Sequence, residues 1–453
     1  MRVEYNKGER ASRELIMLQR RSSEAAAGRK MKVLLIFPPD WFPSEPYLSL
    51  PSLTSVLRQA GHQVVQKDIN LEMWDWYFSE DFLKKVLRKV PQQLDRLRKL
   101  AKKRDLEEWE QDLQLQLCDI SRQRIDELIK KAEKAKAIVR GEVFYDIDQL
   151  EWAIQVFREV TAVISLVYAP ARICMPPMET DLSYKVFVSS EVIEAVNDIQ
   201  VNVYRDVFEQ LVKPVLEAEK PDVVGISIVL QQQLFSSMTF CALIKQHFPR
   251  IHVTIGGNTV TRLRDVLPQS PLFQYFDSAV VYEGDGLRPA RLRGRAKQVW
   301  PTYPTPSIRM RPASMSPPPA MRKICTACRR RISTNAAGLF VPTKILPYLA
   351  TRGCYWGRCE FCDRRATRPA TGRRDRDILG EIQHLRDKYG AKHSTSQSRS
   401  CPPALFRKLT RGLIDSKMDI FWTTHMRFEK SLLGSGLAWD AKGVRLQVPA
   451  LRV

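Results

Sequence analysis

Short, unbroken apolar runs that stop at proline or glycine turns are what most constrain this chain. Lys32-Val33-Leu34-Leu35-Ile36-Phe37 is the first, and it ends at Pro38-Pro39. A strand buried on both faces of a parallel sheet reads this way, whereas a half-exposed strand alternates. A helix is predicted from about Ser52, which can cap it. Leu53, Val56, Leu57 and Ala60 form its apolar stripe, Gly61 stops it, and His62-Gln63-Val64-Val65 resumes a strand. The pattern returns in Pro221-Asp222-Val223-Val224-Gly225-Ile226-Ser227-Ile228-Val229, a helix around Leu234 to His247, and His252-Val253-Thr254-Ile255-Gly256-Gly257. A third short strand, Ser278 to Tyr282, ends at Glu283-Gly284-Asp285. Strands alternating with helices specify an α/β protein with a doubly wound, Rossmann-like parallel sheet, which binds ligands beyond the carboxyl ends of its strands. Gly256-Gly257 falls at such an end, where glycine serves either a close ligand approach or a plain tight turn. No Gly-x-Gly-x-x-Gly follows the first strand, which disfavours a nicotinamide site.

Between the two halves, Leu94, Leu97, Leu100, Leu106, Trp109, Leu113, Leu117 and Ile120 recur at steps of mostly three or four among many charges. They predict amphipathic helices inserted into the domain, their leucines packing a core or lid. Residues 1–30 are polar and basic and read as an extension dispensable for folding.

The formal charge of +22 raises the question of nucleic acid. Its distribution argues against that partner: Gly286 to Cys359 holds fifteen Lys or Arg and no Asp or Glu, so the excess is local. Pro301 to Pro306 and Arg309 to Pro319 carry neither helical nor strand period and read as linker. Composition also changes abruptly after Asp285, at Arg364 to Arg376 and after Ser431, as shifted reading frames would make it. The domain reading is therefore an extension at 1–30 and an α/β unit at 31–285 with a helical insertion at about 80–215. A Pro/Arg-rich linker at 286–342, a partial core at 343–430 and an irregular tail at 431–453 follow. Nine cysteines are sparse for 453 residues, and no apolar run reaches the length of a membrane span, so a soluble protein of the reducing cytoplasm is expected.

Three of those cysteines crowd Thr351-Arg352-Gly353-Cys354-Tyr355-Trp356-Gly357-Arg358-Cys359-Glu360-Phe361-Cys362. Thiolates select zinc, copper(I) or iron–sulfur clusters. A cubane cluster normally takes four of them, so three leave one iron corner open. A rival pairing uses Cys325-x2-Cys328 with Cys359-x2-Cys362 as two knuckles around a structural zinc in a basic nucleic-acid-binding module. It leaves Cys354 unused. Cys118, Cys174, Cys241 and Cys401 read as ordinary buried or neutral thiols, and His425 as a packing histidine.

Taken together, these segments resemble the radical S-adenosylmethionine enzymes that carry an N-terminal cobalamin-binding domain. The resemblance rests on the strand ending at Pro38-Pro39 with Ala60-Gly61-His62 and Asp68 after it, on Gly225-Ile226-Ser227, Gly256-Gly257 and Glu283-Gly284, and on Cys354 to Cys362. Ile378 to Tyr389 resembles the first helix of the family's (βα) barrel, and Phe421 to Glu429 a later strand carrying Arg427 and Glu429. The resemblance implies a 4Fe-4S cluster on Cys354, Cys359 and Cys362, with S-adenosylmethionine chelated to the fourth iron. Reductive cleavage would give a 5′-deoxyadenosyl radical that abstracts hydrogen from an unidentified substrate. Phe361 would pack near the adenine. Cobalamin, contacted by Ser227, Gly256, Gly257, Glu283 and Gly284, would carry a methyl group. An electron donor such as flavodoxin or ferredoxin is the implied partner.

The chain departs from the family in four places. Its spacing is Cys-x4-Cys-x2-Cys, one residue longer than usual, as in a subgroup with Gly-Cys-Tyr-Trp-Gly. No Asp-x-His-x-x-Gly is present, so no histidine is expected on cobalt. His393-Ser394-Thr395-Ser396-Gln397-Ser398-Arg399 stands where the family places acidic or glycine-rich residues near the amino group of S-adenosylmethionine. About ninety residues follow Cys362, fewer than a complete barrel needs, so the barrel is expected to be truncated.

Overall fold

The computed structural model describes residues 30–44, 47–176, 178–282, 284, 298–301, 340–342, 345–359, 371–398 and 400–427. Strand β1 (Lys32–Phe37), helix α1 (Ser49–Gln59) and strand β2 (Gln63–Asp68) form the first βαβ unit. The helix starts three residues before the predicted Ser52. Its N-cap is Leu48 without a side-chain cap, and the Ser52 amide donates to the Leu48 carbonyl at 3.1 Å, so Ser52 lies within the first turn. Gly61 ends the helix as expected, at φ +87°, with the His62 amide donating to the Leu57 carbonyl at 3.1 Å.

The inserted segment is helical: α2 (Ile69–Tyr77), α3 (Glu80–Ala101), α4 (Glu108–Cys118), α5 (Arg122–Arg140) and α6 (Ile147–Val167). A short antiparallel hairpin follows, β3 (Arg172–Cys174) with β4 (Glu179–Asp181). Then come α7 (Ser189–Asn197), α8 (Tyr204–Val207) and α9 (Lys213–Glu219), the last two joined by a π turn at Phe208–Val212. Leu97, Leu113, Leu117 and Ile120 are buried as their spacing predicts, and they share one core with the sheet. Trp109 is instead exposed, and its neighbour Glu110 is buried. Two bonds from the Arg104 guanidinium, each 2.8 Å, satisfy that carboxylate and hold it below its usual range.

The second half adds β5 (Val223–Ser227), α10 (Gln233–His247), β6 (His252–Gly256), α11 (Asn258–Arg262) and β7 (Ser278–Val281). Five strands stand in the order β2-β1-β5-β6-β7, and β8 (Gln298–Pro301) continues the edge beside β7; every pairing is parallel. The stretch read as linker thus contains an edge strand. It also contains Phe340, which packs against Phe78 and Phe157. The two faces of the sheet differ. Leu34, Ile36, Val224, Ile226, Val253 and Ile255 turn into the large helical core. Val33, Leu35 and Val223 turn the other way and pack with Leu50 and Leu57 of α1.

A second, smaller sheet holds β9 (Ile345–Tyr348), β12 (His393–Ser396) and β13 (Phe421–Thr423), all parallel, with β12 in the middle. Between β9 and β12 lie β10 (Thr351–Arg352), β11 (Thr371–Gly372) and α12 (Asp375–Tyr389), and α13 (Pro403–Asp415) precedes β13. Ile378 and Ile382 of α12, Leu409 and Leu413 of α13, and Tyr348 and Trp422 of the strands share one core, so both helices cover the same face. Gly412 brings the helices together: a Cβ there would stand 2.2 Å from Cδ1 of Leu379. Among the described residues no helix is long and apolar enough to cross a membrane. Residues 1–29, Glu283, Cys325, Cys328, Phe361, Cys362, Glu429 and the tail after 431 lie outside the described residues.

Candidate functional site

A cavity of about 400 Å³ opens between the two sheets. Gly225 and Ser227 of β5, Thr254 and Gly256 of β6, and Val280 of β7 line it on one side, with Leu53 of α1 beside them. Its far wall is Leu349, Thr351, Arg352, Gly353 and Gln397. Four residues singled out in the sequence, Ser227, Gly256, Gly257 and Gly284, therefore lie around one space, and the segment running into Cys354 closes it. Thr254 and Ser49 each bring a buried hydroxyl to this wall, and neither finds a hydrogen-bond partner among the described residues.

The glycines serve different ends. Gly257 has φ +109° and ψ −173°, a region only glycine adopts readily, and a Cβ there would meet the Ile228 carbonyl oxygen at 2.3 Å. Close approach of its own chain, not a ligand, sets that position. At Gly256 a Cβ would stand 3.4 Å from the Val280 carbonyl oxygen, an ordinary contact.

The cysteine loop leaves β10 and returns at β11, which are paired antiparallel, Thr351 opposite Gly372 and Arg352 opposite Thr371. Its first stem is held from several sides. The Ser398 hydroxyl, just past the end of β12, accepts the amides of Ala350 and Thr351 at 2.9 and 2.8 Å. The Arg373 guanidinium donates to the Leu349 carbonyl at 3.0 Å and pairs in a buried ion pair with Glu381. The Gln397 amide donates to the Tyr348 carbonyl at 2.9 Å. In the polar segment that ends β12, this chain thus uses Ser398 to fix its own backbone. Sequence reading missed that role, because a serine carries no pattern that distinguishes a buried double acceptor from a surface hydroxyl.

Beyond that stem the chain curls through left-handed Gly353 (φ +79°) and Gly357 (φ +61°). Cys354 and Cys359 are half-buried free thiols on this curl, accessible to a metal. Arg427, past the end of β13, stacks on Trp356 with its guanidinium carbon 3.4 Å from the ring centroid, and Arg358 lies 5.4 Å from the same ring. Among the described residues no three His, Cys, Asp or Glu side chains gather as metal ligands. The third cysteine of the loop is not among those residues, nor are Cys325 and Cys328. Cys241 and Cys401 are buried, and burial pushes the Cys401 thiol up to about 11, while Cys118 and Cys174 are exposed. His425 is exposed, contrary to its reading as a packing residue, and its backbone carbonyl accepts the Cys401 amide at 2.7 Å.

At the carboxyl end of β1, beside the point where strand order reverses, Asp40 is 1% exposed and sits at φ +73°. The Tyr204 hydroxyl donates to its Oδ2. Burial outweighs that bond and raises the carboxyl to about 7. Asp68, which caps α2 through the Leu71 amide at 3.0 Å, is raised by burial to about 6. His393, stacked on Phe421 with ring centroids 4.6 Å apart, is lowered by burial and belongs to the amino end of β12, away from the cysteine loop.

No protein-family model matches the chain, and no curated protein matches its sequence.

Proposed function

We propose that this protein starts radical chemistry by reductive cleavage of S-adenosylmethionine at a 4Fe-4S cluster on Cys354, Cys359 and Cys362, with a cobalamin site in the parallel-sheet unit. One observation carries the reading: the residues that resemble a cobalamin site, Ser227, Gly256, Gly257 and Gly284, and the stem of the cysteine loop, distant from them in sequence, border the same cavity. Two tests of fit support it. The described part of the loop offers two soft thiol donors, Cys354 and Cys359, on a glycine curl whose stem is fixed by Ser398. The cavity is largely apolar, with two buried hydroxyls that find no partner among the described residues, and its 400 Å³ lies within the range of small-molecule sites.

When bound, the cluster would supply an electron to the sulfonium compound, and cobalamin would supply a methyl group. The chain's own contributions follow from its geometry. Ser398 and Arg373 hold the loop stem, Trp356 and Arg427 hold its turn, and β9, β12 and β13 present their carboxyl ends to the same side, as the strands of a (βα) barrel do. Phe361 near the adenine, Glu283 beside Gly284, and a flavodoxin- or ferredoxin-type donor complete the proposal.

Anaerobic reconstitution tests it. Iron and sulfide in near-equal amounts, a broad visible absorbance and a paramagnetic signal that changes on adding S-adenosylmethionine are the expected results. Colourless protein with stoichiometric zinc would replace this reading with the zinc module. Cobalamin binding is followed separately, by retention of the coloured cofactor through gel filtration.

A further inference from the structure

We infer that Arg427 is a positioning residue for the cysteine loop, which fixes Trp356 and keeps a positive charge beside the turn between Cys354 and Cys359. The inference rests on the cluster reading above and goes beyond it by naming what sets the cluster's tendency to accept an electron.

Trp356 lies between Cys354 and Cys359, and Arg427 meets its ring at 3.4 Å, the distance of a face-on stack. Arg427 is half-buried and follows β13, so the stack ties the loop to the third strand of the small sheet while Ser398 ties it to the second. The two anchors act on different parts of the loop, one on its stem and one on its turn. Arg358, next to Cys359, adds a second guanidinium at 5.4 Å from the same ring. From Gly353 to Ala370 the sequence has four Arg against one Glu and one Asp, so the segment is net basic even before Arg427 is added.

A guanidinium keeps its charge at any pH the protein survives, and its plane matches that of an indole. Three thiolates already make a bound cluster electron-rich, and reduction adds one more negative charge. Fixed positive charge nearby favours the reduced form, since local charge is one of the terms that set a cluster's potential. Trp356 serves as the platform that keeps the guanidinium beside the loop rather than in water.

The test compares wild type with Arg427→Met and Arg427→Lys. Each is reconstituted anaerobically, assayed for iron and sulfide per chain, and titrated with reductant while the paramagnetic signal is followed. All three should carry the same iron. Arg427→Met should titrate at a more negative potential than wild type, and Arg427→Lys, which keeps the charge and loses the stack, should fall between them. A wild-type potential in fully loaded Arg427→Met overturns the inference alone, as does equal loss of iron from both variants, which marks a purely structural role. Wild type that takes up no iron overturns the cluster reading together with the inference.

Discussion

Replacing Asp40 with asparagine should flatten the pH dependence of stability. Asp40 is enclosed, and its carboxyl is raised from 3.8 to about 7 in the folded protein. A group raised on folding contributes stability that is fully present below its unfolded pKa and lost as pH rises through its folded value. The acid form is therefore the one the fold prefers, and ionisation works against it. Linkage puts the extra loss between about pH 5 and about pH 8 at about 2 to 3 kcal/mol. Asparagine is nearly isosteric, tolerates the left-handed backbone at this position, and can still accept the Tyr204 hydroxyl through its amide oxygen. It has no charge to bury. Asp68, also raised, titrates in both proteins and cancels in the comparison. Urea unfolding of wild type and Asp40→Asn at the two pH values, followed by far-ultraviolet circular dichroism, measures the difference. Wild type should lose stability more steeply as pH rises, and the variant should gain on it most at the higher pH. Parallel profiles would refute the argument, because they would mean that the Asp40 environment does not discriminate between the two charge states.

Gly257→Ala should lower stability by on the order of 3 kcal/mol, because the new Cβ meets the Ile228 backbone and the dihedral angles are reserved for glycine; an unchanged thermal midpoint would contradict it. Ser398→Ala leaves the Ala350 and Thr351 amides without their acceptor, at about 1 to 3 kcal/mol. Hydrogen exchange at those two amides should accelerate, and equal protection in both proteins would show that the stem is held otherwise. Cys359→Ala should abolish iron uptake while Cys325→Ala leaves it intact; loss of metal in both, with zinc as that metal, would favour the paired knuckles.

Much of the parallel sheet was legible because its strands are short and mostly apolar: Val33–Phe37 is a continuous buried apolar run, and Val223–Ser227 and Val253–Gly256 are apolar apart from glycine, Ser227 and Thr254. Gly61 was equally readable, since only a left-handed residue completes that turn. The start of α1 was not, because Leu48 begins it without a capping side chain and Ser52 mimics a cap from inside the first turn. His393–Ser396 shows why polar strands escape notice. Ser394 and Ser396 are buried in the centre of the small sheet, and Ser394 makes this tolerable by donating to the Leu346 carbonyl at 3.2 Å. The buried Glu110 was hidden for a similar reason: its partner, Arg104, lies outside the apolar stripe that spacing reveals. The residues around the cavity could be singled out by resemblance. That they face the cysteine loop depends on the two sheets meeting, a relation between distant segments that no local pattern encodes.

The pairing of β10 with β11 bears on how freely the segment between them can vary. With both ends already tied, lengthening it by one residue changes its ring-closure entropy by less than about 0.1 kcal/mol. A spacing of four residues between Cys354 and Cys359 rather than three is thus nearly neutral for folding, and loop length here is free to follow whatever function the loop serves.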